Sequence, residues 1–277
     1  MENLALLRKA YHKAVCRQIL GYRDGIPNIA DKDSEKSIQL AKGILERMDF
    51  APCLHPPTGQ RTGSLFETLT REYLEKAFHL IQHLRPGEWL FSVHGNITAF
   101  DQYEHLADLA RVLKQHPAML ATLGDYLIKP DIVIGRSPVP DSLINRDANV
   151  LQDDIARLTP LRARNSSRPI LHASISCKWT IRGDRSQNAR TEGLNLIRNR
   201  KGNTPHIAIV TAEPLPSRIA SVALGTGDLD CVYHMALYEL GEAVQEVGDE
   251  TLSEMYHLMV SGKRLRDISD LPFDLAI

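Results

Sequence analysis

At 277 residues and a formal net charge of −1, the chain is long enough to bury a sizeable core and shows no global charge bias toward a nucleic acid or membrane. Its 43% hydrophobic and 24% charged residues exclude a disordered, fibrous or collagen-like chain. Cys16, Cys53, Cys177 and Cys231 are far apart with no C-x-x-C spacing, which argues against a zinc site and a secreted disulfide framework and for a reducing compartment. The opening Met1-Glu2-Asn3-Leu4-Ala5 lacks the basic start and apolar run of a signal peptide, and no apolar stretch approaches a membrane span. The expectation is a cytoplasmic protein.

In chain order, Leu4 to Leu20 reads as a helix, Gly21 to Lys32 as turn-rich, and Glu35 to Met48 as a second helix. Cys53 to Gly63 reads as a loop from its Pro, Gly and Thr content. An amphipathic helix is predicted over Ser64 to His83, with Phe66, Leu69, Tyr73, Ala77 and Leu80 at helical spacing. Glu88 to Val93 looks like a strand and Gln102 to Gln115 like a helix. Tyr126 to Ile134 is an apolar strand candidate containing Pro130-Asp131. Arg136 to Pro169 is loop-rich, with no composition step to mark a domain boundary.

From Ile170 to Ile181 the pattern alternates, with Ala173, Ile175, Cys177 and Trp179 on one face and His172, Ser174, Ser176 and Lys178 on the other. A helix is predicted over Ser186 to Arg198, a buried strand over His206 to Thr211, and helices over Tyr233 to Val247 and Thr251 to Ser261. The expected class is α/β, a mixed central β-sheet flanked by helices, in a single domain over residues 1–277.

Local charge is more informative than net charge. Between Lys178 and Lys201 lie Arg182, Arg185, Arg190, Arg198 and Arg200 against only Asp184 and Glu192. Taken alone, this is a solvated basic helix face. Its surroundings give it chemistry. Phosphodiester hydrolysis by a metal nuclease needs carboxylates for Mg2+ and a cation near the scissile phosphate. Asp131 stands at a strand start, and Lys178 lies on the polar face of the next alternating strand. The position two before the lysine, where a second acid is expected, holds Ser176. Glu192, on the following helix with Ala189, Gly193 and Leu196 on its inward side, is the candidate replacement. Each has a plainer reading: Pro-Asp as a turn, an exposed strand lysine, and a glutamate satisfying a nearby donor.

The segment His172 to Gly202, continuing through Pro205 to Tyr233 and resuming over Ser261 to Ile277, resembles the NgoMIV type of restriction endonuclease. With Pro130-Asp131 and Phe66-Glu67 the likeness covers most of the second half and parts of the first. It implies a restriction-endonuclease-like PD-(D/E)xK core whose active site falls on Asp131, Ser176, Lys178 and Glu192, with Asp131 and Glu192 holding Mg2+, two ions per site. It adds Glu67 as a further catalytic carboxylate, although Ser64-Leu65-Phe66-Glu67 also fits a capping box in which Glu67 serves only a helix-start amide.

The same resemblance assigns DNA reading to Arg182, Asp184 and Arg185, to Asp31 and Arg218 at the outer base pair, and to Gln60 in the minor groove. The chemistry suits a CCGG core, since arginine pairs with guanine O6 and N7 and a carboxylate accepts from cytosine N4. Asp184 can also cap the helix that follows. Asp33 stands where the family has a small hydroxyl residue, and Gly183 replaces a serine.

The implied function is Mg2+-dependent cleavage of double-stranded DNA at GCCGGC, leaving 5′-phosphate and 3′-hydroxyl ends. The implied partners are DNA, three further copies in a dimer of dimers, and a cognate DNA methyltransferase. Two alternatives remain: a repair or junction nuclease on the same core, and a catalytically dead DNA-binding protein.

Overall fold

The computed structural model describes residues 3–115, 128–183, 185–225 and 227–277. Their packing forms two compact units: Met1–Arg85, Ile175–Thr191 and Ile207–Ile277, and Pro86–Ser174 with Glu192–His206. Six strands make one mixed sheet in chain order: β3 (Trp89–Val93), β4 (Ile132–Arg136), β5 (Ile170–Lys178), β6 (His206–Thr211), β7 (Cys231–His234) and β8 (Leu265–Asp267). β3 and β4 are antiparallel, while β6, β7 and β8 run parallel. A two-stranded hairpin, β1 (Tyr22–Arg23) with β2 (Ile26–Pro27), stands apart from this sheet. The expected mixed sheet with flanking helices is what forms, and no helix among the described residues is long and apolar enough to cross a membrane.

The first unit carries most of the helices: α1 (Leu4–Gln18), α2 (Glu35–Met48) and α3 (Gln60–Leu80). α1 turns Leu7, Tyr11 and Val15 inward at helical spacing, and its N-cap Asn3 accepts from the Leu6 amide at 2.9 Å. The loop expected over Cys53 to Gly63 is helical from Gln60, because Gly59, at φ 54° and ψ −130°, ends the loop and Thr62 Oγ1 ties back to the Pro57 carbonyl at 2.6 Å. Ser64 therefore lies inside α3, and the capping-box account of Glu67 is removed. The helix expected from Tyr233 starts at Leu237, since Cys231–His234 is a short buried strand. β7 escaped sequence reading because a short apolar run does not separate strand from helix by period, and β8, Leu-Arg-Asp, is too short to show a period at all.

In the second unit, α4 (Leu106–Gln115) begins later than expected, after two 3-10 turns over Ile97–Ala99 and Asp101–Tyr103. A short α5 (Asp141–Ile144) follows β4. The start of the Tyr126 to Ile134 strand falls partly outside the described residues; within them the strand begins at Ile132. β5 is buried on both faces from Leu171 to Cys177, so its serines face packed interior and not water. α6 (Arg185–Asn199) and, after β6, α7 (Pro216–Ala223) carry the remaining segments that matter for function. α8 (Leu237–Val247), α9 (Glu250–Ser261) and α10 (Leu271–Asp274) close the chain, with α2 packed on α8 and α7 on α9.

A largely buried ion triad ties the ends of the first unit together. Arg8 donates to Asp267 through Nε and Nη2 at 2.9 and 2.7 Å, and to Glu239 through Nη1 and Nη2 at 2.8 and 2.7 Å. Burial pushes the Asp267 carboxyl upward, but the hydrogen bonds and charge of Arg8 outweigh it and leave it below the ordinary value; Glu239 behaves likewise. Arg8→Ala strands the buried Asp267 and the half-buried Glu239 and is expected to cost about 3 kcal/mol in a urea titration. For depressed carboxylates the triad's stability is present above the ordinary carboxylate range and lost as pH falls through the lowered values, so the wild-type advantage over Arg8→Ala should shrink on acidification. A variant that unfolds with the wild type at neutral pH would show the triad to be neutral.

Candidate active site and DNA-reading cluster

Asp131 is placed by a corner of the second unit. β3 and β4 pair from Trp89↔Arg136 to Val93↔Ile132, and the chain leaves β3 through His94 and Gly95. His94, at φ 54°, donates its amide to the Asp131 carbonyl at 2.9 Å. A Cβ on Gly95 would stand 2.2 Å from Val133 Cγ2, so only glycine lets this turn close on β4. Pro130 and Ile132 are buried, leaving Asp131 half-buried between them.

Glu192 sits on α6, half-buried beside buried Ala189, Gly193 and Leu196. Its part of the helix is anchored in the same unit as Asp131. Tyr103 Oη donates to the Leu196 carbonyl at 3.0 Å, and the Lys201 amide donates to the Gln102 carbonyl at 2.9 Å. Gln102 also holds both polar groups of Leu171 at the start of β5, through Nε2 to the carbonyl at 2.7 Å and from the amide to Oε1 at 2.8 Å. A single buried glutamine thus fixes the start of β5 and the segment that follows the helix carrying Glu192.

Ser176 and Lys178 share one face at the end of β5, with Ser176 8% exposed and Lys178 half-buried. In their unit Phe66 meets Trp179 edge to face, with ring centroids 5.2 Å apart. The residue before Glu67 therefore packs on the residue after Lys178. Glu67 itself is buried, 8% exposed, with Oε1 turned toward Gly63 one turn back along α3.

The base-reading candidates come together more visibly. Asp31 precedes α2, where its amide donates to Ser37 Oγ at 2.9 Å and its Oδ1 accepts from the Asp33 amide at 3.2 Å. Its Oδ2 takes a hydrogen bond from Arg218 Nη2. The Asp33 amide, followed by Arg218, holds the Asp31 carboxyl below its ordinary value. Asp33 thus contributes its backbone amide to the placement of Asp31. Arg182 is exposed and donates from Nη2 to the Ala30 carbonyl at 2.9 Å, one residue from Asp31. Residues from three distant segments, 31, 182 and 218, form one cluster in the first unit. Gln60 is exposed at the first position of α3, apart from these bonds. Asp184 lies outside the described residues, and of Arg185 only the backbone, at the start of α6, is described.

Beneath the cluster is a residue that sequence reading missed. Glu213 is 0% exposed, two residues past the end of β6, and accepts from the Ile181 amide at 2.8 Å and the Leu215 amide at 3.2 Å. Its Oε1 lies 3.9 Å from Arg218 Nη1. Burial pushes its carboxyl up to about 7, against the two amides and the charges of Arg218 and Arg182. The only sequence signal was an acid in Thr-Ala-Glu-Pro-Leu-Pro, an otherwise apolar and proline-rich turn.

Among the described residues no group of three or more His, Cys, Asp or Glu side chains is gathered as a metal cluster. Mg2+ does not need one: it commonly takes one or two carboxylates and completes its shell with water and substrate oxygens. The donor set of Asp131 and Glu192, hard carboxylates in one unit, fits that ion.

The fold is a mixed sheet with flanking helices, in which Asp131 stands just before β4 and Lys178 ends β5. Comparison with known proteins is more specific. The profile of the NgoMIV restriction enzyme family matches residues 11–277. The type II restriction enzyme NgoMIV of Neisseria gonorrhoeae is 47% identical over 278 positions, covering 98% of this chain and 97% of that protein. The chain belongs to the NgoMIV restriction enzyme family, and it is a type II restriction endonuclease, a site-specific deoxyribonuclease. Solved structures give remoter likenesses. Bse634I with cognate DNA has a TM-score of 0.36 at 14% identity, covering 90% of this chain and 91% of that one. The PspGI–substrate DNA complex has 0.30 at 12%, covering 99% and 92%.

Proposed function

We propose that the protein hydrolyses double-stranded DNA at GCCGGC in a Mg2+-dependent reaction, leaving 5′-phosphate and 3′-hydroxyl ends. The observation that carries this reading is the Asp31–Arg182–Arg218 cluster. Three side chains with the donors and acceptor that guanine and cytosine edges require are held together from segments 187 residues apart. In this reading Arg182, Asp184 and Arg185 read the CCGG core, Asp31 and Arg218 the outer pair, and Gln60 the minor groove.

Asp131 and Glu192 hold the metal, two ions per site. When bound, Mg2+ supplies an activated water and neutralises charge on the leaving 3′ oxygen. Lys178 orients the attacking water against the scissile phosphate, and its ammonium offsets charge building on the phosphoryl oxygens. Ser176, on the same face of β5, donates a hydrogen bond within that shell. Glu67, buried on α3, is a further carboxylate of the site.

A palindromic target calls for a two-fold dimer, each half-site read by one subunit. The proposed assembly is two such dimers back to back, working alongside a methyltransferase that protects the same sequence. The whole chain, 1–277, acts as one nuclease domain; supporting this, it passes back and forth between the two units at 85/86, 174/175, 191/192 and 206/207.

The test is digestion of a sequenced plasmid carrying two GCCGGC sites, with and without Mg2+, followed by sequencing of the ends. Discrete Mg2+-dependent ends inside those sites are expected. Discrete ends elsewhere would keep the class of enzyme and overturn the base assignments.

A further inference from the structure

We propose that Glu213 is a positioning residue for base reading, a buried clamp that sets Arg182 and Arg218 in register and releases them when it takes up a proton. The proposal rests on the base-reading assignment above. Its geometry is specific. One carboxylate oxygen accepts from the amide of Ile181, the residue directly before Arg182. The other accepts from the amide of Leu215, the N-cap of the helix α7 whose first turn carries Arg218. Two loops that meet nowhere in sequence are thus joined through one side chain, at the positions from which the two arginines project.

The same carboxylate faces Arg218 Nη1 at 3.9 Å, too far for a hydrogen bond, and that nitrogen is buried with no acceptor within reach among the described residues. Arg218 is therefore held by Asp31 on one side and steered by charge from Glu213 on the other. A lysine in place of Arg218 could not span the two acids, and a neutral residue in place of Glu213 would leave only the Asp31 contact.

Ionisation decides whether the clamp closes. An ionised carboxylate accepts fully from both amides, whereas a protonated one accepts well only through its carbonyl oxygen, its hydroxyl oxygen being a poor acceptor. The Glu213 carboxyl sits at about 7, well above its ordinary 4.5, so it is ionised above neutrality and progressively protonated below it. The described charged groups around it do not switch in that range. Arg218 from α7 and Arg182 after β5 stay cationic, and Asp31, held below its ordinary value, stays anionic. His234 of β7, whose ring nitrogen bonds the Glu213 carbonyl at 3.2 Å, is lowered by burial to about 4 and stays neutral.

The test uses the intact enzyme, with the cut site first mapped on wild type, so a target other than GCCGGC corrects the earlier assignment and leaves this test standing. Cleavage of that site is then compared with cleavage of sites carrying one substituted base pair, from about pH 6 to pH 8. Wild-type discrimination is expected to rise about tenfold across that range, the worth of one charge-assisted hydrogen bond. Glu213→Gln, which offers only one accepting oxygen, should discriminate about tenfold less at the upper end and show a flat profile. Glu213→Asp keeps the charge and should keep the slope. A purely structural role would slow all sites alike with no pH-dependent change in their ratio. A flat wild-type profile would overturn the proposal even if Glu213→Gln fails to fold, and so would a folded Glu213→Gln that discriminates like wild type. If wild type cuts no DNA, the earlier reading falls and this one falls with it.

Discussion

Asp131→Ala and Lys178→Ala are each expected to lower cleavage by about a thousandfold or more while leaving DNA affinity within a few-fold of wild type. The two act differently. On the proposed reading, removing Asp131 takes away one of the two carboxylates that would hold the metal, so the variant should fail even at high Mg2+. Lys178→Ala leaves those carboxylates intact and removes the cation that offsets phosphoryl charge, a contribution made chiefly in the transition state. Neither change should unfold the chain. Asp131 is half-buried and its carbonyl, which the His94 amide uses, survives in alanine. Lys178 likewise offers its carbonyl, not its side chain, to the Ala212 amide at 3.4 Å. Single-turnover cleavage and gel retardation in Ca2+ would separate the two effects. Cleavage within tenfold of wild type in both variants would place the chemistry elsewhere.

The second large effect concerns specificity. Arg218→Ala should relax discrimination at the outer base pair by about 1–3 kcal/mol, or roughly tenfold to a hundredfold, and Arg182→Ala should do the same within the CCGG core. Arg218→Ala also leaves Asp31 without its strongest cation, so the Asp31 carboxyl should move back toward its ordinary value. Competition binding against single-substituted sites reads the position of each loss. A uniform loss across all sites, with a shallower salt dependence, would make these arginines phosphate contacts instead.

What could be read from the sequence, and what could not, follows from the range of the interactions. His206 to Thr211 was legible as a buried strand because the five consecutive apolar and β-branched residues Ile207 to Thr211 have few other uses. Asp131, Ser176 and Lys178 could be picked out because strand ends and period-two spacing are local facts. The plainer reading of Glu67 fell for an equally local reason: the helix begins one turn earlier than Ser64, at a glycine whose positive φ no composition count reveals. Glu213 was out of reach because its role depends on two amides, at 181 and 215, that only the tertiary fold brings to one carboxylate. Burial of the serine face of β5 was hidden likewise, since alternation shows two faces but not whether both are covered.

The most direct test of the proposed centre is to load the protein with Fe2+ in place of Mg2+, generate hydroxyl radicals with ascorbate and peroxide, and map backbone cuts by mass spectrometry. Radicals form at the bound ion and cut the chain nearest to it. Cuts around Asp131, around Ser176 to Lys178 and around Glu192, suppressed by excess Mg2+, are the expected result. Mg2+-suppressible cuts confined to other segments would contradict the assignment of Asp131 and Glu192 as the metal's ligands.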